Sequence, residues 1–286
     1  MLKKKSFWMF VLASFAWLVA IGGVGVLMSF IYAKKGSVLC KDVKVYIPGN
    51  QYFIDKDEID NILQVKSRGL IGRPVDGINI QDLESKLKAN PFIASAKVYT
   101  DMDGVIKVEI SQRQPILRMI NLLDKDFYVD QNGLKIPLSD NFTARVIVAN
   151  GFIEEPFAGQ VDTLHNPVSV SIFKIADFIR RDSLWDAQIA QIYVNANREI
   201  ELIPRVGNQH ILIGNADSLA TKFRNLEAFY KQALPKVGWD AYKTINIKYA
   251  NQVIGVRNIL TKKDSLMIKA KADSAKMKKD TSLTKI

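Results

Sequence analysis

The sequence predicts an α+β protein: a single membrane-crossing helix near its start, a small module of strand, helix, helix, strand and strand, and then a larger mixed-sheet module with packed helices. Three observations carry this. Twenty-eight residues between Lys5 and Lys34 hold no charge. Beyond them the apolar residues switch between helical spacings of three and four and a strand spacing of two. The net charge of +11 is segregated: residues 1–35 hold five Lys and no acid, residues 257–286 hold nine basic side chains against three Asp, and the stretch between balances at 26 against 26.

That balance argues against nucleic-acid binding, which needs clustered Lys and Arg on the folded part. A single Cys, Cys40, excludes an internal disulfide framework and a multi-cysteine metal site, and two His, His165 and His210, offer little for metal ligation.

As a helix the uncharged run is about 42 Å long and exceeds the roughly 30 Å hydrocarbon core. Trp8 and Tyr32 suit the two interfaces. A cleaved signal has an apolar region of only about 7–15 residues, so the run reads as a retained anchor. Leu39 is also a poor neighbour for Cys40 in a lipoprotein signal. Lysines flank both ends, but a five-residue stub followed by a long body favours an inside N-terminus and an exported body. The expected division is a cytoplasmic stub at 1–5, a transmembrane helix at 6–33, a juxtamembrane linker at 34–41, modules at 42–114 and 115–258, and a basic disordered tail at 259–286.

The first module opens on the strand Val43–Ile47, stopped by Pro48-Gly49. Asp55 with Glu58 starts a helix flanked by Ile54 and Ile59, and after a Gly-rich loop, Arg68 to Gly77, Asn79 starts a second helix carrying Ile80, Leu83 and Leu87. Alternation then places Phe92, Ala94, Ala96 and Val98 on one side of a strand, Asp103-Gly104 turns the chain, and Ile106, Val108 and Ile110 return. In the second module, strands are expected at 116–123, 126–130, 134–136, 145–149, 189–194, 199–203, 209–213, 244–249 and 252–257. Two helices interrupt them. Asn166-Pro167 starts one, with Val168, Ile172, Ile175 and Ile179 inward, and the other runs over 217–234 with Leu219, Phe223, Leu226 and Tyr230 inward.

Fragments of catalytic motifs do not assemble. Ser171-Ile172-Phe173-Lys174 and Ser139-Asp140-Asn141 match elements of penicillin-binding enzymes but stand in the wrong order, and Lys243-Thr244-Ile245 lacks the required Gly. Glu154 and Glu155 are neighbours whose side chains should point apart, unlike a converging catalytic pair. The reading is a binding or scaffolding protein, not an enzyme, with no cofactor, metal or small-molecule substrate.

Four motifs then carry a resemblance: Asn90-Pro91-Phe92-Ile93, Gln112-Arg113-Gln114-Pro115, Tyr128-Val129-Asp130-Gln131-Asn132-Gly133, and Ile247-Lys248-Tyr249 followed by Gln252 to Arg257. Together with the element order, they resemble the FtsQ/DivIB family of bacterial division proteins, with Gln112 in place of an acid and Lys248 in place of an Arg. The resemblance implies a POTRA domain followed by a β domain and no enzymatic activity. It implies a single-pass location in the cytoplasmic (inner) membrane at the division site, with the bulk of the chain extracytoplasmic. The implied partners are FtsB, FtsL and other divisome members. It also implies that an FtsB-type partner adds along the closing strands, at Ile247, Lys248, Tyr249, Val253 and Val256. Strand alternation gives Tyr249 a second reading, as a core residue beside Ile245 and Ile247. Another membrane-anchored POTRA protein, in export or envelope assembly, is the alternative family role.

Overall fold

The computed structural model describes residues 3–35, 38–49, 52–65 and 69–258. The expected basic tail at 259–286, the first two residues of the stub, Gly36 and Ser37 of the linker and Arg68 of the Gly-rich loop lie outside the described residues. The chain divides into two units, Met1–Gln114 with Ser139–Ala144, and Pro115–Leu138 with Arg145–Ile286.

In the first unit, α1 spans Lys3–Lys35. Its segment Leu12–Ser29 has a mean hydropathy of 1.9, and among the described residues this is the one helix long and apolar enough to cross a membrane. There follow β1 (Asp42–Tyr46), α2 (Lys56–Ile62), α3 (Ile80–Lys88), β2 (Ile93–Thr100) and β3 (Val105–Gln112). The caps form as their spacing predicts: Asp55 accepts from the Glu58 N–H and Asn79 from the Asp82 N–H. The sheet order is β1-β3-β2, with β1 parallel and β2 antiparallel to β3. Ile59, Leu83 and Leu87 from the helices close a core with Ile106, Val108 and Ile110.

One strand face departs from the expected alternation. Ile93 is buried and Ala94 exposed, because a register shift between Ile93 and Ser95 inserts an extra residue before Ala96 and Val98 resume the inward face. Gln112 is buried as well, and its Oε1 accepts from the Phe53 and Ile54 N–H groups at 3.1 and 3.2 Å. An amide oxygen therefore does what a carboxylate at this position would do.

The second unit contains β4 (Pro115–Ile120), β5 (Asp126–Asp130), β6 (Leu134–Ile136), β7 (Ile147–Gly151), β8 (Asp162–Thr163), α4 (Pro167–Arg180), α5 (Ser183–Gln188), β9 (Ile189–Val194), β10 (Ile200–Pro204), β11 (His210–Gly214), α6 (Leu219–Gln232), α7 (Leu234–Val237), β12 (Tyr242–Asn246) and β13 (Ile254–Arg257). They build one mixed sheet in the order β13-β12-β11-β10-β9-β7-β4-β5-β6-β8. Ile172, Ile175 and Ile179 of α4 and Phe223 and Leu226 of α6 cover the face that carries Leu117, Ile192, Leu202, Ile211 and Ile245. The two helices meet where Phe178 stacks on Phe223, centroids 4.8 Å apart. The apolar spacing of the sequence does not predict α5, which is only six residues long. Asp182 caps it and it exists to bury Trp185 against Phe223.

The turn at Asp130–Gly133, between β5 and β6, is built by Asp130 Oδ1, which accepts from the Asn132 and Leu134 N–H groups. Gly151, at φ +100°, crosses so close to β9 that a Cβ there would collide with the Val194 carbonyl oxygen. Gly151→Ala should therefore cost more than about 2 kcal/mol, from the left-handed backbone together with the clash, read as a drop in the urea midpoint.

The unit also buries an ion pair. Lys135 Nζ lies 2.8 Å from Glu155 Oε1 and 2.8 Å from the Pro156 carbonyl, and both side chains are sealed from solvent. Glu155 also accepts from the His165 and Asn166 N–H groups ahead of α4. Glu154 points elsewhere, to Arg198 at 2.9 Å. Burial works to raise the Glu155 pKa, but the hydrogen bonds from Lys135, Asn166 and His165 outweigh it and leave the carboxyl below its ordinary value.

Candidate functional site

The sheet of the second unit has two ends, and they differ. At one end stands β8, only two residues long, with the charged Asp162 on it. Short length and charge are what keep an edge from recruiting another strand. At the other end stands β13, paired on one side with β12 and open on the other among the described residues. It carries Ile254 and Val256, 45% and 51% exposed, and a single charge, on Arg257.

The direction of its main-chain groups follows from the pairing. The Asn258 N–H donates to the Ala241 carbonyl at 2.9 Å. With a period of two, the groups of Val256 and Ile254 also face β12, so those of Gly255 and Arg257 face the open side. Gly255 lies under the Tyr242 ring, where a Cβ would strike Tyr242 Cε1, and Tyr242 in turn packs edge-on against Phe229 of α6. The helix-covered face at β13 is thus closed by Tyr242 and Phe229, while Ile254 and Val256 stand on the opposite face beside Asn246 and Thr244.

Of the residues expected at the partner site, the structure separates Ile247 from the rest. It is fully buried in the core, its N–H bonded to the Leu212 carbonyl, and has no surface to offer a partner. Lys248 is half-exposed, with Nζ 2.6 Å from Glu199 Oε1, and this bond holds its ammonium pKa above the ordinary value. Tyr249 is 56% exposed, with Lys248 Nζ 5.9 Å from its ring centroid. Its core reading fails for a local reason. Asn246 Oδ1 accepts from the Lys248 N–H at 2.9 Å, an Asx turn that ends β12 and turns Tyr249 off the strand alternation. Val253 is half-buried against the core and Val256 stands on the open edge.

Several residues here were not reached from the sequence. Gly214, at φ +77°, lets the Lys248 stem cross it, since a Cβ would stand 2.8 Å from Lys248 Cγ. Gly214→Ala should displace Lys248 from Glu199 and lower stability by about 1–2 kcal/mol, checked by thermal melting and by the Lys248 side-chain NMR shift. Lys222 is buried nearby, its Nζ donating to the Ile213 and Asn215 carbonyls, and burial pulls its pKa down. Only the strand residues Ile254 and Arg257 carried a readable signal, as members of the strand-like segment Gln252 to Arg257.

Residues 114–256 match the family model described as FtsQ/DivIB, C-terminal related, and residues 38–111 match a POTRA-like domain. The cell division protein FtsQ of Salinibacter ruber is 22% identical over 217 residues, which cover 74% of this chain and 80% of that protein. The chain belongs to the FtsQ/DivIB family of bacterial cell-division proteins.

Proposed function

We propose that this protein is a non-enzymatic scaffold of the division complex. Residues 1–5 lie in the cytoplasm, residues 6–33 cross the inner membrane once, and the modules at 42–114 and 115–258 with the tail at 259–286 stand outside, at the division site. An FtsB-type partner, with FtsL beside it, adds a strand to the open side of β13. The observation that carries this is the contrast between the two sheet ends: a two-residue edge at β8 with no large apolar side chain, and a four-residue open edge at β13 that exposes Ile254 and Val256 beside the one charge of Arg257. Main-chain pairing through Gly255 and Arg257 would supply affinity, and Tyr249, Ile254 and Val256 would supply selectivity.

The test is co-purification of the FtsB-type protein from the same organism with the full-length chain. Tyr249→Ala should weaken capture at least tenfold while the thermal midpoint stays in place, because an exposed aromatic is a binding anchor and not a core residue. A fluorescent fusion should gather at midcell. Full capture by the variant together with a diffuse envelope signal would discard the proposal.

A further inference from the structure

The segment joining β12 to β13 is pinned to the core at its two ends, by buried Ile247 and by Val253. Between them the chain runs over open ground. A cleft of about 540 Å³ lies on one side and one of about 460 Å³ on the other, and Asn251 and Gln252 line both. Inside the turn, the Gln252 N–H reaches the Tyr249 carbonyl at a long 3.3 Å. Among the described residues, a single side chain from outside the segment bonds the backbone of 249–252: Asn225 of α6, whose Nδ2 donates to the Ala250 carbonyl at 2.6 Å. A carbonyl accepts only from the amide nitrogen, so the orientation of the Asn225 side chain follows from the bond.

Helix formation does not account for Asn225. Asn ranks below Ala, Lys, Glu and Arg in helix propensity, and α6 uses those residues elsewhere on its polar side. Its neighbours Phe223 and Leu226 fill the core, while Asn225 stands at the flank of the helix facing the turn. The residue is placed where it reaches one carbonyl, and that carbonyl follows Tyr249 directly.

We infer that Asn225 is a positioning residue for partner binding: by holding the Ala250 carbonyl it sets the path of the turn, and so fixes Tyr249 in the geometry that the incoming strand meets. This rests on the edge-strand reading of function. It adds a residue on a helix, outside the contact surface, that acts through the turn.

The experiment uses the full-length chain in lipid nanodiscs, with the FtsB-type protein of the same organism as probe. Without partner, Asn225→Ala should speed amide exchange of residues 251–253 about tenfold while α4 and the central strands keep their protection. With partner, affinity should fall about tenfold through faster dissociation, with Asn225→Asp at least as weak because a carboxylate cannot donate to the carbonyl. In a Tyr249→Ala background, Asn225→Ala should cost no more than about twofold, because the residue it positions is gone. Equal losses in both backgrounds would mark a general stability effect and overturn the inference, as would unchanged exchange and affinity. If Arg257→Pro abolishes binding and Asn225→Ala changes nothing, the inference alone falls. If Arg257→Pro also binds like wild type, the edge-strand reading has failed.

Discussion

Lys135→Met should destabilise the second unit by about 3–5 kcal/mol, because it leaves the Glu155 carboxylate buried with no cation beside it. At this size the loss corresponds to a fall in midpoint of roughly 10 °C or more. The effect should not add. Lys135→Met/Glu155→Gln should recover most of the loss, since Gln keeps an acceptor for the His165 and Asn166 N–H groups without a stranded charge. The pair also sets an acid limit. The folded-state pKa of Glu155 is depressed, so its contribution is fully present above the ordinary value of 4.5 and is lost as pH falls through the lower folded value. Melting from pH 7 to pH 3 should show the wild-type midpoint falling in that acid range, with a smaller fall in the double variant.

Arg257→Pro should remove binding of the FtsB-type partner by about a hundredfold, or roughly 2.7 kcal/mol, while the unit remains folded. The reasoning is geometric. The Arg257 N–H points away from β12, so a proline there costs no bond within the sheet and takes a donor from the open edge, where proline is tolerated. Val256→Lys should act in the same direction through its side chain, since an exposed Lys on an edge disfavours strand addition, with a loss of about tenfold. Isothermal titration with the full-length chain, beside circular dichroism of each variant, separates lost binding from lost folding.

Most of the architecture was legible in the sequence, and the reasons are local. Asp55, Asn79 and Asn166 cap helices where their spacing places them, and the Asp130–Gly133 turn announces itself. What was not legible depends on contacts distant in sequence or on a single inserted residue. The shift at Ile93 breaks the alternation of β2, and its only trace is the spacing of three between buried Ile93 and Ala96. α5 is six residues long, too short for a period, and is held by Trp185 in a core the sequence does not display. The Lys135–Glu155 pair joins positions twenty residues apart, each of which alone reads as a solvated charge.

The candidate site was half legible. The closing strands, Tyr249 and Val256 stand where a partner could meet them, whereas Ile247 belongs to the core and the strand ends before Tyr249. Asn246 was the available signal for that ending, because an Asn side-chain oxygen can accept from the backbone N–H two residues on and close an Asx turn. Asn225 had no signal at all, since its reason for being Asn lies 25 residues away at Ala250.

Residue-resolved amide exchange of β13, with and without the FtsB-type partner, addresses the open edge itself. Ile254 and Val256, whose amides already face β12, should change little, while Gly255 and Arg257 should become strongly protected on binding. A complex that leaves Gly255 and Arg257 exchanging as freely as in the unbound chain, with new protection on another surface, would contradict a partner strand at this edge.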